Sequence, residues 1–195
     1  MILGAGLDTF AYRNPHPHLR VFEIDHPATQ EWKKHRLRAA SITIPDSVTF
    51  VPIDFECQTL SDTLAIAGFR AGVPAFFSWL GVIRYIARTS CMATLAFIAG
   101  MPGGSGVAFD FAVDPKLLDS KYRLALTALS ARVAAAGEPF QLVFDPQELA
   151  DELRKLGFRD VEMLAAGELN ERYFRNRTDG LQISGNLGRL TSAWV

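Results

Sequence analysis

The chain has 195 residues, of which 49% are hydrophobic and 21% charged, and its formal net charge at pH 7 is −1. This composition predicts one globular domain over residues 1–195 and excludes an intrinsically disordered chain. A charge so close to zero argues against nucleic acid as a partner, and no apolar run reaches the roughly 18 residues that a membrane span needs. Because no signal peptide is recognisable, we expect a cytoplasmic protein that contacts no membrane.

The cysteines and histidines predict no metal site. Cys57 and Cys91 form no Cys-x-x-Cys motif, and no histidines cluster at the spacing of metal ligands, so buried thiols are expected. A basic run at residues 33–38 lies in a predicted helix with acids before it. We interpret this run as a solvated helix face rather than a nucleic-acid patch.

The first nine residues contain the feature on which the functional prediction depends. An apolar run at residues 1–3 breaks into Gly4-Ala5-Gly6, where the two glycines lack the Cβ atom that would keep a ligand away from the backbone. The amides that open the next helix, predicted at residues 9–13, would point at such a ligand. Because a parallel strand normally has about five residues, we expect that an upstream segment has been lost or that the start is an internal methionine.

Acidic residues follow the next two predicted strands. The second strand, residues 20–24, ends at Asp25, about 20 residues after the first glycine, which is where a ribose-binding carboxylate is expected. The third strand, residues 48–53, ends at Asp54, which can contact an adenine amino group or cap a helix. Gly4, Gly6 and Asp25 together predict a site for a cofactor that contains a nucleoside.

The residues after the glycine turn favour S-adenosylmethionine over NAD. The third glycine of the dinucleotide fingerprint is replaced by Thr9, and Asp8 puts a carboxylate where a pyrophosphate would lie. S-adenosylmethionine has no phosphate and carries a sulfonium cation, which suits nearby acids. Asp8 has an equally good explanation as a charge stabilised by the helix dipole, and both interpretations stay open.

The rest of the chain alternates predicted helices and strands. Helices are expected at residues 27–40, 60–68 (capped by Ser61 or Asp62), 90–98 (capped by Thr89 or Ser90) and 146–156 (capped by Asp145). Strands are expected at residues 74–80, 107–111 and 158–164, with a final strand from residues 181–183 and 189–195. A helix-rich insertion at residues 115–137 is placed to cover a substrate pocket. The alternation predicts a doubly wound α/β fold with a mostly parallel sheet and ligands at the carboxyl ends of its strands.

The order of four short segments resembles the leucine carboxyl methyltransferase-like family of S-adenosylmethionine-dependent methyltransferases, including its bacterial O-methyltransferase branch. The segments are residues 3–9 (LGAGLDT), 11–13 (AYR), 22–27 (FEIDHP) and 54–55 (DF). The resemblance implies the Rossmann-like class I methyltransferase fold, a seven-stranded sheet whose last strand is antiparallel. By position, Gly4 and Asp25 match cofactor contacts of the family, with Asp25 on the ribose hydroxyls. Asp54 and Phe55 match the pair that flanks the adenine.

The chain departs from that family in two places. Family members often carry a glutamate that contacts the cofactor beside the segment matching Trp79 and Leu80, but the sequence here is Ser78-Trp79-Leu80-Gly81, without an acid. The family also has an N-terminal helical segment with an arginine that grips the cofactor's carboxylate, and this chain begins after that segment. Trp79 and Tyr85 could line a pocket, although a core position is favoured for such aromatic residues.

The resemblance implies methyl transfer to a carboxylate or hydroxyl oxygen of a small molecule. In-line displacement at a sulfonium needs alignment and water exclusion, and a carboxylate acceptor is already ionised and needs no base. None of His16, His18, His26 and His35 forms a recognisable catalytic pair, so no catalytic residue is assigned. A shortened, non-catalytic binding scaffold and, less favoured, an NAD-dependent oxidoreductase remain as alternatives, and the oligomeric state is left open.

Overall fold

The computed structural model describes residues 1–55, 57–135 and 137–195. Within these ranges seven strands form one sheet: β1 (Ile2–Leu3), β2 (Val21–Asp25), β3 (Val48–Pro52), β4 (Phe76–Trp79), β5 (Gly106–Ala112), β6 (Asp160–Leu164) and β7 (Gly188–Trp194). Their order across the sheet is 3-2-1-4-5-7-6. Strands β1 to β5 pair in parallel, and β7 is antiparallel to both of its neighbours. The predicted doubly wound sheet with an antiparallel last strand is therefore confirmed.

Six α-helices connect the strands in the described ranges: α1 (Pro27–Ala39), α2 (Leu60–Ile66), α3 (Arg88–Ala99), α4 (Ser120–Ala135), α5 (Pro146–Leu156) and α6 (Ala166–Leu169). Short 3-10 turns lie at Phe10–Tyr12, Ile83–Tyr85 and Pro115–Leu117, and a π-helical turn follows α6 at Asn170–Phe174. No helix in this part of the chain is both long and apolar enough to cross a membrane.

The two faces of the sheet have different chemistry. One face carries the main core, in which Phe77 and Phe109 pack with residues of α2, α3 and α5. The strand register places Ile2 beside Glu23 and Ser78, and Ser78 beside Ala108, so these positions share the other face. Because side chains alternate along a strand, Asp25 and Asp110 also lie on that second face. The carboxylates of the central strands therefore lie opposite the main core.

Helix α5 shows why some elements were readily predicted. The Asp145 carboxylate accepts the backbone N–H groups of Gln147 at 2.7 Å and Glu148 at 3.3 Å, and Pro146 occupies the first turn, where no N–H is needed. The helix ends at Gly157, whose φ of +117° suits glycine. The predicted bounds and cap of this helix are confirmed.

Other predicted boundaries were wrong. The residue that caps α2 is Thr59, whose hydroxyl accepts the Asp62 N–H at 3.2 Å, and not Ser61 or Asp62. Helix α3 begins at Arg88, so the predicted caps Thr89 and Ser90 lie inside it, and no side chain caps its start.

Residues 181–183 do not form a strand. The Asn170 side chain instead accepts the Ile183 N–H and donates to the Ile183 carbonyl oxygen, both at 2.8 Å. A side-chain amide thus satisfies the backbone groups that a neighbouring strand would otherwise pair. The predicted helix at residues 9–13 is likewise reduced to the 3-10 turn at Phe10–Tyr12.

Candidate functional site

The glycine turn lies where the strand order reverses, between β1 and β4, at the carboxyl end of β1. Gly4 and Gly6 have φ values of +66° and +41°, in the left-handed region that favours glycine. The N–H groups of Gly4 and Ala5 both donate to the Ile24 carbonyl oxygen, at 2.8 and 3.0 Å, and this fixes the turn to β2. Open α/β sheets bind their ligands at such a reversal of strand order.

Gly4 and Gly6 differ in their surroundings. A Cβ atom at Gly4 would lie 2.2 Å from the Cγ2 atom of Val82, in the loop after β4. A Cβ atom at Gly6 would meet only the Gly4 carbonyl oxygen, at 3.9 Å. Gly4 therefore allows the β4 loop to approach the turn, whereas the space beside Gly6 is open to a ligand.

The Asp25 carboxylate meets the glycine turn directly. Its Oδ2 atom accepts the Gly6 N–H at 2.5 Å, and its Oδ1 atom accepts the N–H of His26 at 2.7 Å. The Asp25 side chain is half-buried, because the residue ends β2 and the chain turns there into α1. The structure thus brings together two of the residues that the sequence predicted to share a site, 19 positions apart in the chain.

The Asp8 side chain is exposed and makes its hydrogen bond within its own segment. Its Oδ1 atom accepts the Phe10 N–H at 2.7 Å at the start of the 3-10 turn, and its backbone carbonyl oxygen accepts a hydrogen bond from Lys33 at 2.9 Å. The capping interpretation of Asp8 accounts for the first contact, which is made by its side chain. Proximity to a ligand stays a prediction for this residue.

Asp54 and Phe55 follow β3, next to Asp25. The Ile53 N–H donates to the Asp25 carbonyl oxygen at 2.9 Å, so the chain after β3 leaves the sheet beside the end of β2. The Phe55 ring stacks on Trp79, with centroids 6.4 Å apart and planes at 29°. Trp79 is fully buried, which confirms the favoured core interpretation of that residue.

Sequence reasoning missed an ion pair at the ends of β4 and β5. The Asp110 carboxylate accepts the Gly81 N–H at 2.5 Å and binds the Arg84 guanidinium at 2.5 Å. About a quarter of each charged side chain is exposed, at 26% and 25%. A carboxylate therefore reaches the segment at Leu80 and Gly81 from the neighbouring strand. The signal in the sequence was a lone acid in the otherwise apolar strand β5.

The segment after α4 returns across the β4 loop. The backbone N–H of Gln141 donates to the Arg84 carbonyl oxygen at 2.7 Å, and its side-chain amide donates to the Tyr85 carbonyl oxygen at 2.9 Å. The Phe140 ring packs against Tyr85 at 5.6 Å and lies 5.5 Å from the Arg84 guanidinium. The insertion after β5 is thereby attached to the loop that contacts the glycine turn. The predicted turn at Gly137 is described, but Ala136 lies outside the described residues.

Behind the glycine turn lies a buried polar cluster formed by Glu23, Lys33 and Tyr12. Glu23 in β2 is 0% exposed and Lys33 in α1 is 3% exposed, with the lysine Nζ 2.7 Å from the glutamate Oε2. The Tyr12 hydroxyl donates to the same oxygen at 3.2 Å. Burial raises the pKa of Glu23, and burial together with the Glu23 charge raises the pKa of Tyr12.

The predicted solvated face at residues 33–38 was therefore wrong for Lys33. Helix α1 turns Gln30, Lys33 and Leu37 toward the sheet, because positions three and four apart share one face of a helix. Lys34, the next residue, is partly exposed and pairs with Glu31 at 2.8 Å.

The two cysteines differ in burial. Cys91 is buried, which raises the pKa of its thiol to about 12, but Cys57 is exposed, so the expectation of buried thiols was wrong for Cys57. No group of three His, Cys, Asp or Glu side chains that could hold a metal ion was found where the chain is described.

A cavity of about 660 Å³ lies at the amino ends of β2 and β4, where Val21 and Phe76 line it. Among the described residues that line this cavity, Asp8 is the one predicted site residue.

Comparisons with known proteins give the family of this chain. The family described as leucine carboxyl methyltransferase matches residues 1–99. The "Putative S-adenosyl-L-methionine-dependent methyltransferase YktD" of Bacillus subtilis (strain 168) is 40% identical over 185 residues, which are 93% of this chain and 60% of that protein. A "Putative S-adenosyl-L-methionine-dependent methyltransferase" of Mycobacterium avium (strain 104) is 31% identical over 94% of this chain and 62% of its own length.

The solved structures that are similar to this chain show the fold. One is an O-methyltransferase family protein from Burkholderia thailandensis, with a TM-score of 0.61 and 15% sequence identity, covering 99% of this chain and 49% of that one. The chain spans about 60% of the length of the curated relatives named above.

Proposed function

The chain belongs to the leucine carboxyl methyltransferase family, and on that premise we propose that it binds S-adenosylmethionine at the carboxyl ends of β1, β2 and β3 and directs its methyl group to an oxygen of a small-molecule acceptor. The bound cofactor supplies an electrophilic methyl group on a sulfonium. The residues of the chain bind and orient the reactants and exclude water.

The observation that carries this proposal is the contact between Asp25 and Gly6 at the reversal of strand order. The Asp25 carboxylate, which we propose binds the ribose, accepts the Gly6 N–H at 2.5 Å, so two of the proposed cofactor contacts lie side by side. A carboxylate has about four acceptor positions, and each oxygen of Asp25 receives one backbone N–H. Acceptor positions are thus left for the two hydroxyls of a ribose, and the space beside Gly6 admits the ligand.

Neighbouring residues would contact the adenine of the cofactor and lie near its positive charge. Asp54 and Phe55 follow the adjacent strand, where an adenine would lie beyond the ribose, and the Phe55 ring is held by its stack on Trp79. The exposed carboxylate of Asp8 adds negative charge near a cationic ligand. This charge is unfavourable for the pyrophosphate of NAD, which supports S-adenosylmethionine as the cofactor.

The acceptor side of the proposed site is formed by the β4 loop and the segment that crosses it. Gly81 and Arg84 are held by Asp110, and Gln141 is bonded to the backbone of the same loop. These contacts orient the loop. An acceptor that is already ionised, such as a carboxylate, needs no base, so the proposed transfer to such an oxygen requires none from these residues.

Isothermal titration with S-adenosylhomocysteine tests the proposal, with NAD as the competing ligand. We expect micromolar binding of S-adenosylhomocysteine and none of NAD. Asp25→Ala should weaken binding at least about tenfold, since hydrogen bonds to a charged group contribute about 1.5–3 kcal/mol each. Asp46→Ala, at an exposed position before β3, is the matched control and should bind like the parent. A folded parent protein that does not bind S-adenosylhomocysteine would contradict the proposal.

A further inference from the structure

We propose that Lys33 is a positioning residue for the candidate cofactor site: it ties the buried Glu23 carboxylate to the backbone carbonyl of Asp8 and thereby fixes the segment from Gly6 to Phe10. The consequence for cofactor affinity rests on the proposed function. The consequence for the segment itself does not.

The contacts of Lys33 are all directed inward. Its Nζ atom lies 2.7 Å from the Glu23 Oε2 atom and donates to the Asp8 carbonyl oxygen at 2.9 Å. The same ammonium group lies 5.4 Å from the centroid of the Tyr12 ring. These three partners come from β2, from the loop after the glycine turn and from the following 3-10 turn, so one buried cation joins β2 to two points of the segment that follows the turn.

Packing alone does not account for this arrangement. A buried ion pair loses much hydration, and apolar residues of similar volume often serve stability equally well or better. The second Glu23 oxygen, Oε1, has no hydrogen-bond partner within the described part of the chain, so the pair is not fully compensated. What an apolar pair could not provide is a donor for the Asp8 carbonyl oxygen. That bond is the specific contribution of the lysine.

The segment after the glycine turn is held at two points, and each of them depends on a carboxylate of β2. At one end, Asp25 accepts the Gly6 N–H, and at the other end Glu23 holds the lysine that binds the Asp8 carbonyl. Glu23 and Asp25 are two residues apart on one strand, so their side chains share a face.

The two attachments should respond differently to a ligand. Ribose hydroxyls would share the oxygens of Asp25 with the N–H groups of Gly6 and His26. The bond from Lys33 to Asp8 lies in the buried cluster, where Lys33 is only 3% exposed, and no ligand in the crevice would displace it. Lys33 therefore keeps the segment in place whether or not a ligand binds Asp25.

Three variants separate positioning from stability. Lys33→Met leaves Glu23 buried without its cation, so its melting temperature should fall, and a loss of binding in this variant alone would be ambiguous. Glu23→Met/Lys33→Met removes both charges and should regain most of that loss. Lys34→Met is the matched control, because Lys34 is the adjacent lysine of the same helix and pairs with Glu31 at the surface.

Amide hydrogen exchange of the ligand-free proteins gives the first readout. The N–H groups of Asp8, Phe10 and Tyr12 donate hydrogen bonds within this segment or directly beside it, to Ala5, Asp8 and Thr9 respectively. We expect them to exchange about tenfold faster in the double variant than in the parent or in Lys34→Met, as the loss of one hydrogen bond predicts. Parent-like exchange in the double variant would overturn the proposal.

Titration with S-adenosylhomocysteine gives the second readout. The double variant should bind about tenfold more weakly than the parent, although its melting temperature is nearly restored. A Kd within twofold of the parent's would refute the link to the cofactor site. If the parent itself does not bind, the proposed function fails, and the exchange rates alone decide whether Lys33 fixes the segment.

Discussion

Replacing Gly4 with alanine should destabilise the protein through two separate costs. The first is conformational, because the φ of Gly4 is +66° and a residue with a Cβ atom loses about 1–2 kcal/mol in that region. The second is steric, because the new Cβ atom would lie 2.2 Å from Val82 Cγ2 and 3.3 Å from Val82 Cβ. Overpacking of this kind costs about 1–3 kcal/mol. Together the two costs amount to about 2–5 kcal/mol.

Gly6→Ala is the matched control for the conformational cost. Its φ of +41° is also in the left-handed region, but an added Cβ atom would meet nothing closer than 3.9 Å. We therefore expect a loss of about 1–2 kcal/mol, without a steric contribution. Subtracting this value from the loss in Gly4→Ala leaves the cost of the contact with Val82.

Urea unfolding followed by circular dichroism measures these free energies, and Val82→Ala provides the background that removes the contact. In that background Gly4→Ala should cost about 1–3 kcal/mol less than in the parent, because residues in contact show coupling energies of this order. Equal losses for Gly4→Ala and Gly6→Ala would refute the packing of the β4 loop on the glycine turn. So would a Gly4→Ala loss that is unchanged when Val82 is replaced.

Two further predictions concern titratable groups. Ellman's reagent should modify one thiol of the native protein at pH 8 and two thiols after unfolding. Cys57 is exposed, whereas burial of Cys91 raises the pKa of its thiol to about 12. Two rapidly reacting thiols in the native protein would contradict the packing around α3. Burial raises the pKa of Glu23 above the value of about 4.3 expected in the unfolded chain, so the unfolded chain releases this proton first as the pH rises. The stability of the parent should then fall as the pH rises through the raised pKa, and Glu23→Gln, measured by urea unfolding at a series of pH values, should lack that fall.

The parts of the fold that could be predicted are those set by local chemistry. The order of strands and helices follows from apolar runs that alternate with amphipathic stretches, and α5 carries its own start and stop signals in Asp145, Pro146 and Gly157. The contact between Gly6 and Asp25 was also accessible, because carboxyl ends of adjacent parallel strands meet at one edge of the sheet.

The failures have a different origin, since they depend on partners that are distant in the chain. Residues 181–183 look like a strand, but the backbone N–H and carbonyl oxygen of Ile183 are bonded to the side chain of Asn170, 13 positions away. Lys33 looks like one more charge on a basic helix face, and its burial depends on where Glu23 lies once α1 packs on the sheet. Neither outcome can be obtained from the composition of the segment itself.

Both missed ion pairs nevertheless share a signal that the sequence contains. Glu23 and Asp110 are each flanked by apolar residues inside a strand, and each is paired with a cation outside that strand, Glu23 with Lys33 in α1 and Asp110 with Arg84 after β4. An unpaired charge at a buried position costs several kcal/mol, which a marginally stable domain cannot sustain. An acid in the middle of a buried strand therefore requires a cation elsewhere in the chain. Which cation it is follows only from the packing, because several lysines and arginines satisfy the requirement equally well in the sequence.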